Sequence, residues 1–156
     1  MNFRHFNTND DTDAKAFKDI SVQWISKYWS LEEKDYYSLD HPKENILDKG
    51  GKLYMIDLDN EPVGCCALFP IENNGYEVAK MGLLEKCRGH GVGKKLLQSV
   101  IEEARGLGAK WLYIESNSVL TPALKLYESC GFQHIPVEKR KQSPYQRCNV
   151  FMDLYL

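Results

Sequence analysis

No stretch of the chain is apolar over anything near the roughly 18 residues that a membrane span requires. The amino terminus, MNFRHFNTNDDTDAK, carries acids where a secretory leader needs an apolar run, so no signal peptide and a cytoplasmic location are expected. Basic excess is also lacking. Lys and Arg number 20 against 22 for Asp and Glu, a formal net charge of −2, so neither nucleic acid nor a membrane surface is an expected partner. The five cysteines (Cys65, Cys66, Cys87, Cys130 and Cys148) are odd in number and show no staple spacing, which predicts reduced thiols. His5, His41, His90 and His134 are scattered, with no C-x-x-C or H-E-x-x-H pattern, so no metal is expected. Repeats, low-complexity tracts and long linkers are missing too. Residues 1–156 therefore read as one domain.

What is present suits a folded core. Hydrophobic residues make up 43% and charged residues 27%, a balance that argues against disorder. A chain of 18.0 kDa should expose roughly 8,000 Å² when folded against roughly 26,000 Å² when unfolded. That burial needs no disulfide or metal to support it.

Patterning predicts a strand at 2–6, then a helix capped by Asn9 or Asp10 with Phe17, Ile20, Trp24, Ile25 and Tyr28 on its apolar stripe. Pro42 opens a helical turn through Leu47, which Gly50-Gly51 ends. Strands follow at 52–58, 62–69 and 76–84, joined by turns at Asp59-Asn60-Glu61 and at 72–75. Leu96, Leu97, Val100, Ile101, Ala104 and Leu107 then mark a helix, with Gly108 just beyond its end. A strand at 110–115, a helix at 122–129 opened by Thr121-Pro122, and strands at 132–137 and 149–155 complete the chain. The class is α/β (α+β), with helices covering a mostly antiparallel sheet and one crossover long enough for a parallel pair.

The most informative segment is Arg88-Gly89-His90-Gly91-Val92-Gly93-Lys94-Lys95, between a strand and an amphipathic helix. Glycines there turn the backbone tightly and leave no Cβ between the amides and a ligand. The unpaired N–H groups of the next helical turn, with the helix dipole, make an anion site. A pyrophosphate suits it. Position 95 is Lys, which fails the G-x-x-x-x-G-K-[ST] pattern, and the glycine spacing fails G-x-G-x-x-G. Taken alone, the string serves equally as a plain turn followed by a solvated lysine face.

The wider sequence resembles the GCN5-related N-acetyltransferases (GNAT). Arg88, Gly91 and Gly93 match the signature R/Q-x-x-G-x-G/A, and the resemblance runs through EVAKMGLL, KWLYIESN and LTPALKLYESCGF, about residues 50–135. It implies a mixed sheet of about seven strands with helices on both faces and a splayed fourth and fifth strand. Acetyl-CoA would lie in that gap as the acyl donor, its pyrophosphate on residues 88–94 and its pantetheine arm along Met81, Gly82 and Leu83. No metal is implied.

Acetyl transfer needs a neutral amine, a supported oxyanion and a proton for the leaving thiolate. The resemblance places Tyr127 near the thioester sulfur, as general acid and cofactor contact. Glu77 is the general-base candidate; alternation sets it on one face with Ala79, Met81 and Leu83, where apolar neighbours raise a carboxyl's pKa. Its other reading is a substrate-binding carboxylate or a solvated strand-end charge. Asn117 follows the fifth strand and is expected either to anchor the pantetheine arm or to form an Asx turn. A main-chain N–H of Met81 or Leu83 is the oxyanion candidate. Cys130 follows a helix and has no adjacent histidine, so it is a poor nucleophile candidate.

Lys139, Arg140, Lys141 and Arg147 surround Tyr145 in a basic stretch that suits a substrate carboxylate, the cofactor's phosphates or a solvated loop. Trp24, Tyr28, Trp29 and Tyr36 are candidate walls on the substrate side. The resulting expectation is direct transfer from acetyl-CoA to the primary amine of a small molecule in a ternary complex. The alternatives are a peptide or protein N-acetyltransferase and a non-catalytic acyl-CoA-binding module. A kinase-like nucleotide binder would need a magnesium ligand set that the sequence does not offer. Edge strands of a small mixed sheet add a homodimer as one expected assembly.

Overall fold

A computed structural model describes residues 1–156 and exposes 8506 Å², close to the expectation from chain mass. Strands β1 (Asn2–His5), β2 (Lys52–Leu58), β3 (Glu61–Ile71), β4 (Gly75–Leu83), β5 (Trp111–Ser116), β6 (Gln133–His134) and β7 (Val150–Tyr155) form one sheet. Its order is β1-β2-β3-β4-β5-β7-β6, and every neighbouring pair is antiparallel except β4 with β5. Helices α1 (Thr12–Tyr28), α2 (Glu33–Asp40) and α3 (Pro42–Asn45) precede β2; α4 (Val92–Gly106) and α5 (Thr121–Ser129) flank β5 in the chain.

The two hairpins have a local cause. Asp59 and Asn60, then Asn73 and Asn74, all take positive φ between 51° and 63°. Two such residues in succession make the turn whose twist matches the flanking strands, and Asn and Asp tolerate it best among residues with a side chain.

Each sheet face buries a separate core. Leu96, Leu97, Val100 and Ala104 of α4 pack with Tyr54, Ile56, Cys66, Leu68 and Leu112, and α5 closes the same side with Tyr127. Phe17 and Ile20 of α1 pack with Leu39, Leu53, Met55, Cys65 and Ala67 on the other side. Cys65 and Cys66 therefore point to opposite faces, as alternation requires. Both are fully buried free thiols.

Several local expectations are revised. Helix α2 has no counterpart among the elements read from the pattern; its signal is a capping box between Glu32 and Asp35 rather than an apolar stripe. Helix α1 begins at Thr12 with Asp11 at its cap, although the Asp10 carboxylate accepts the Thr12 N–H at 2.9 Å. Thr121 is the first residue of α5 rather than its cap. The predicted strand at 132–137 keeps strand geometry only at Gln133–His134. Ile135 still donates to the Phe151 carbonyl at 2.8 Å, but Pro136 has no N–H to continue the ladder.

Candidate active site

Strands β4 and β5 run in register for only three pairs, from Gly75↔Trp111 to Glu77↔Tyr113. Gly75 closes this narrow end by leaving room for the Trp111 ring, whose Nε1–H donates to the Glu72 carbonyl at 3.1 Å. Beyond Glu77 the strands separate: β4 stays with β3 as far as Leu83, and β5 stays with β7. From Val78 onward β4 has no strand on its β5 side, so backbone groups there are available to an added extended chain. A cavity of about 570 Å³ fills the wedge.

A bulge in β4 alters the faces predicted by simple alternation. Cys65 pairs with Gly82 and Ala67 with Ala79, so Cys66 alone opposes both Lys80 and Met81. Lys80 takes φ +51°, an uncommon conformation for a residue with a side chain. Glu77 and Ala79 thus face the α1–α2 side, whereas Met81 and Leu83 pack toward the core beneath α4. Sequence reasoning put all four on one face; the extra residue is why they divide. Gly82 returns to the α1 side, where a Cβ would lie 2.7 Å from the Trp24 ring.

At one end of the cavity stands the glycine-rich turn. Gly89 and Gly91 take φ +79° and +78°, and a Cβ at either would meet nothing within 4 Å. Gly91 caps α4 without a side-chain bond, and the first intrahelical bond runs from Lys95 N to Gly91 O at 3.1 Å. The N–H groups of Val92, Gly93 and Lys94 therefore lack intrahelical partners and gather at a positive helix end. Arg88 and Lys94 line the cavity beside them. This open, glycine-walled cradle fits the pyrophosphate of an acyl-CoA substrate. Side chains of His90 and Val92 do not line the cavity: His90 is exposed and Val92 is in the core.

Along the α5 wall, Tyr127 is buried and its ring lies against Phe132 at 6.2 Å. Burial, with Cys66 nearby, raises its phenol further above the ordinary value, so it carries its proton at neutral pH. Asn117 donates to the Arg147 carbonyl at 2.6 Å and accepts the Val119 N–H at 2.9 Å. It forms the Asx turn and ties the 140s loop to the end of β5, with one amide hydrogen left over.

The α1–α2 end is polar. Glu77 is half-buried, and desolvation together with Glu115 raises its carboxyl to about 7, against the pull of Lys80 and Lys34. Glu115 accepts Tyr113 Oη–H at 2.9 Å and Ser143 Oγ–H at 2.6 Å. Behind them Asp35, with no side-chain exposure, pairs with Lys80 and takes both guanidinium nitrogens of Arg147 at 2.6 and 2.7 Å. Burial alone would raise the Asp35 carboxyl, but hydrogen bonds from Arg147 and Lys80 bring it down to about 2. Desolvation lowers Lys80 despite Asp35. Tyr145 covers this pair, its ring 4.9 Å from Lys80 Nζ and 4.5 Å from the Arg147 guanidinium carbon. The Lys80–Asp35–Arg147 cluster joins three distant segments and escapes sequence reasoning; the only hint is a lysine inside the apolar run EVAKMGLL.

Other expectations divide. Trp24, Tyr28 and Trp29 line the cavity, whereas Tyr36 is turned outward and is 49% exposed, because its neighbour Asp35 takes the inward position. Arg140 bonds the Ile135 and Asn149 carbonyls at 3.0 and 3.4 Å, and Lys141 pairs with Glu72. Both are thereby held by the chain itself. Cys130 lies outside the cavity lining; Cys148 lies within it. No helix is long and apolar enough to cross a membrane.

Residues 17–132 match the family described as acetyltransferase (GNAT) family. The chain is 31% identical over 130 residues to an uncharacterized N-acetyltransferase, YjgM, of Escherichia coli K12, covering 79% of this chain and 78% of that protein. A GNAT-family acetyltransferase of Staphylococcus aureus Mu50 superimposes with a TM-score of 0.85 at 20% identity, over 99% of this chain and 98% of that one. An aminoglycoside 6'-N-acetyltransferase complexed with coenzyme A does so with a TM-score of 0.77 at 13% identity, over 99% and 97%.

Proposed function

The chain belongs to the GNAT family of acetyltransferases, and on that premise we propose that it moves the acetyl group of acetyl-CoA directly to the primary amine of a small molecule. The observation that carries this reading is the continuity of one cavity: it runs from the amide cradle at Gly89–Lys94, along the unpaired edge of β4, past Tyr127, to Glu77. An acyl donor bound with its phosphates at the cradle would present its thioester between a proton donor and a proton acceptor. Such ordering turns an encounter between two molecules into reaction within one complex.

In this reading Glu77 accepts a proton from the amine, directly or through water. A base near pH 7 is well placed for that work, since it is largely ionised at neutral pH yet still holds a proton usefully. As the amine nitrogen bonds to the acyl carbon, the carbon–sulfur bond breaks and Tyr127 gives its proton to the sulfur. The products are an amide and free CoA thiol. The phenol then regains its proton from solvent and Glu77 returns one. A main-chain N–H of Met81 or Leu83 is proposed as donor to the oxyanion. The leftover amide hydrogen of Asn117 is free to bond the pantetheine arm.

Two features support a small acceptor and direct transfer. Trp24, Tyr28 and Trp29 narrow the cavity with large side chains, and Glu32 and Asp35 of the α2 region fasten the 140s loop over its polar end through Arg147. Cys148, the thiol in the cavity, is pushed by burial to about 11, which suppresses the thiolate that an acyl-enzyme route would need. Calorimetric titration of the reduced protein with acetyl-CoA, followed by thiol release on adding amines, tests the reading. Saturable binding near one per chain with amine-dependent thiol release is expected. Folded protein that binds no acetyl-CoA from micromolar to millimolar concentration would sink it. Binding without turnover of any amine would leave the acyl-CoA-binding module in its place.

A further inference from the structure

The charges at the acceptor end do not balance. Lys80 and Arg147 are the cations lining it, and both are committed to Asp35, with Glu32 as a second partner of Arg147 at 3.3 Å. Lys34 is exposed on α2 and screened by water. Glu77 and Glu115 both line the cavity, and neither forms an ion pair with a side chain of this protein. Glu115 is held by two neutral hydroxyls, from Tyr113 and Ser143, which fix its direction without cancelling its charge. Its field is one cause of the upward shift at Glu77.

Three aromatic side chains of the α1 region, Trp24, Tyr28 and Trp29, line the same cavity, and the faces of such rings attract cations. Spacing adds a length. Glu77 is in register with Tyr113, and Glu115 lies two residues further along β5. Two residues of strand and one interstrand step set a lower bound of roughly 8 Å on their Cα separation, because the strands splay beyond that pair.

We propose that the acceptor is a dication: an amine whose reacting nitrogen meets Glu77 and whose second cationic group, about four or five bonds away, is held by Glu115. This rests on the acetyltransferase reading above and narrows it. It also excludes amino acids as preferred acceptors, because the cations that would meet their carboxylate are already paired with Asp35.

The test uses the intact wild-type chain, acetyl-CoA as donor, and three amines with the same carbon chain and different ends: putrescine, butylamine and γ-aminobutyrate. The expected order of kcat/KM is putrescine, then butylamine, then γ-aminobutyrate. Glu115→Gln should lower the putrescine-to-butylamine ratio by about 10- to 100-fold, as expected when one partner of a half-buried charge pair is removed. Should that variant not fold, calorimetry of wild-type protein saturated with CoA replaces it, with putrescine expected to bind more tightly than butylamine. Butylamine or γ-aminobutyrate turned over as well as putrescine would overturn the dication inference and leave the acetyltransferase reading intact. Acetyl-CoA binding with no putrescine binding or turnover would also overturn it. Failure to bind acetyl-CoA at all would remove both.

Discussion

Replacing Glu77 by glutamine removes the charge and the proton-accepting oxygen while keeping the shape. The structure raises this carboxyl from about 4.5 to about 7, first through desolvation and then through Glu115. Wild-type kcat/KM should therefore climb about tenfold per pH unit below 7 and level off above it, as the base becomes ionised. The amine is captured as its ammonium, the predominant form below its reference value of about 10, and is made neutral by Glu77 in the complex, so its own titration adds no slope near that limb. Glu77→Gln should lose about 10²- to 10⁴-fold in rate at pH 8, and the limb near 7 should vanish. Stability must move the other way. A carboxyl raised by folding binds a proton more tightly in the native state, so its contribution is complete below pH 4.5 and is lost as pH rises through about 7. A shift of that size corresponds to at most about 3 kcal/mol, since each pKa unit is worth about 1.4 kcal/mol. The glutamine variant escapes the penalty. Its thermal midpoint should match wild type near pH 4.5 and exceed it at pH 8 by up to about 6–12 °C. A pH–rate profile that keeps the limb near 7 in the variant would refute the base assignment. An unchanged midpoint at pH 8 would refute the desolvation on which the shift depends.

Asp35→Asn should be among the most destabilising substitutions in the chain, because it strands both Lys80 and Arg147 and weakens the α2 capping box. A loss of about 3–5 kcal/mol is expected, read as a fall in the thermal midpoint; a loss under about 1 kcal/mol would show that water relieves the buried cations. Gly91→Ala places a side chain at φ +78° with nothing near its Cβ, so calorimetry and thermal melts should report backbone strain of about 1–2 kcal/mol together with weaker acetyl-CoA binding. Gly93→Ala is its control for backbone strain: its φ is not in the left-handed region, so that penalty should be absent, although its Cβ would press the Leu83 Cδ1 at 3.1 Å and that side chain must give slightly. Tyr127→Phe should cut kcat by about 10²-fold while leaving acetyl-CoA affinity and the thermal midpoint close to wild type; an unchanged kcat would remove the phenol from the proton path.

Much of the scaffold was legible along the chain because its causes are local. Asp59-Asn60 and Asn73-Asn74 dictate their hairpins, since few residues accept two successive positive φ angles. The stripe from Leu96 to Ala104 dictates α4, and Gly89-His90-Gly91 before it dictates an open helix end. Helix α2 was harder to read. It offers a capping box, the buried Asp35 and one core residue, Leu39, rather than a repeating apolar stripe.

The site separates along the same line. Sequence by itself singled out the glycine turn, Tyr127 and Glu77 as candidates, because motif order and residue chemistry carry them. Only the tertiary structure decided the face to which Glu77 turns. One extra residue at Lys80 shifts the strand's period, and no local pattern announces that shift. It also decided that Arg147 pairs with Asp35, and that Glu77 and Glu115 share one cavity. Those pairings join residues 38 and 112 positions apart, as do Lys80 and Asp35 at 45. Charge balance depends on distance in space, and the chain's order does not record that distance until the sheet forms.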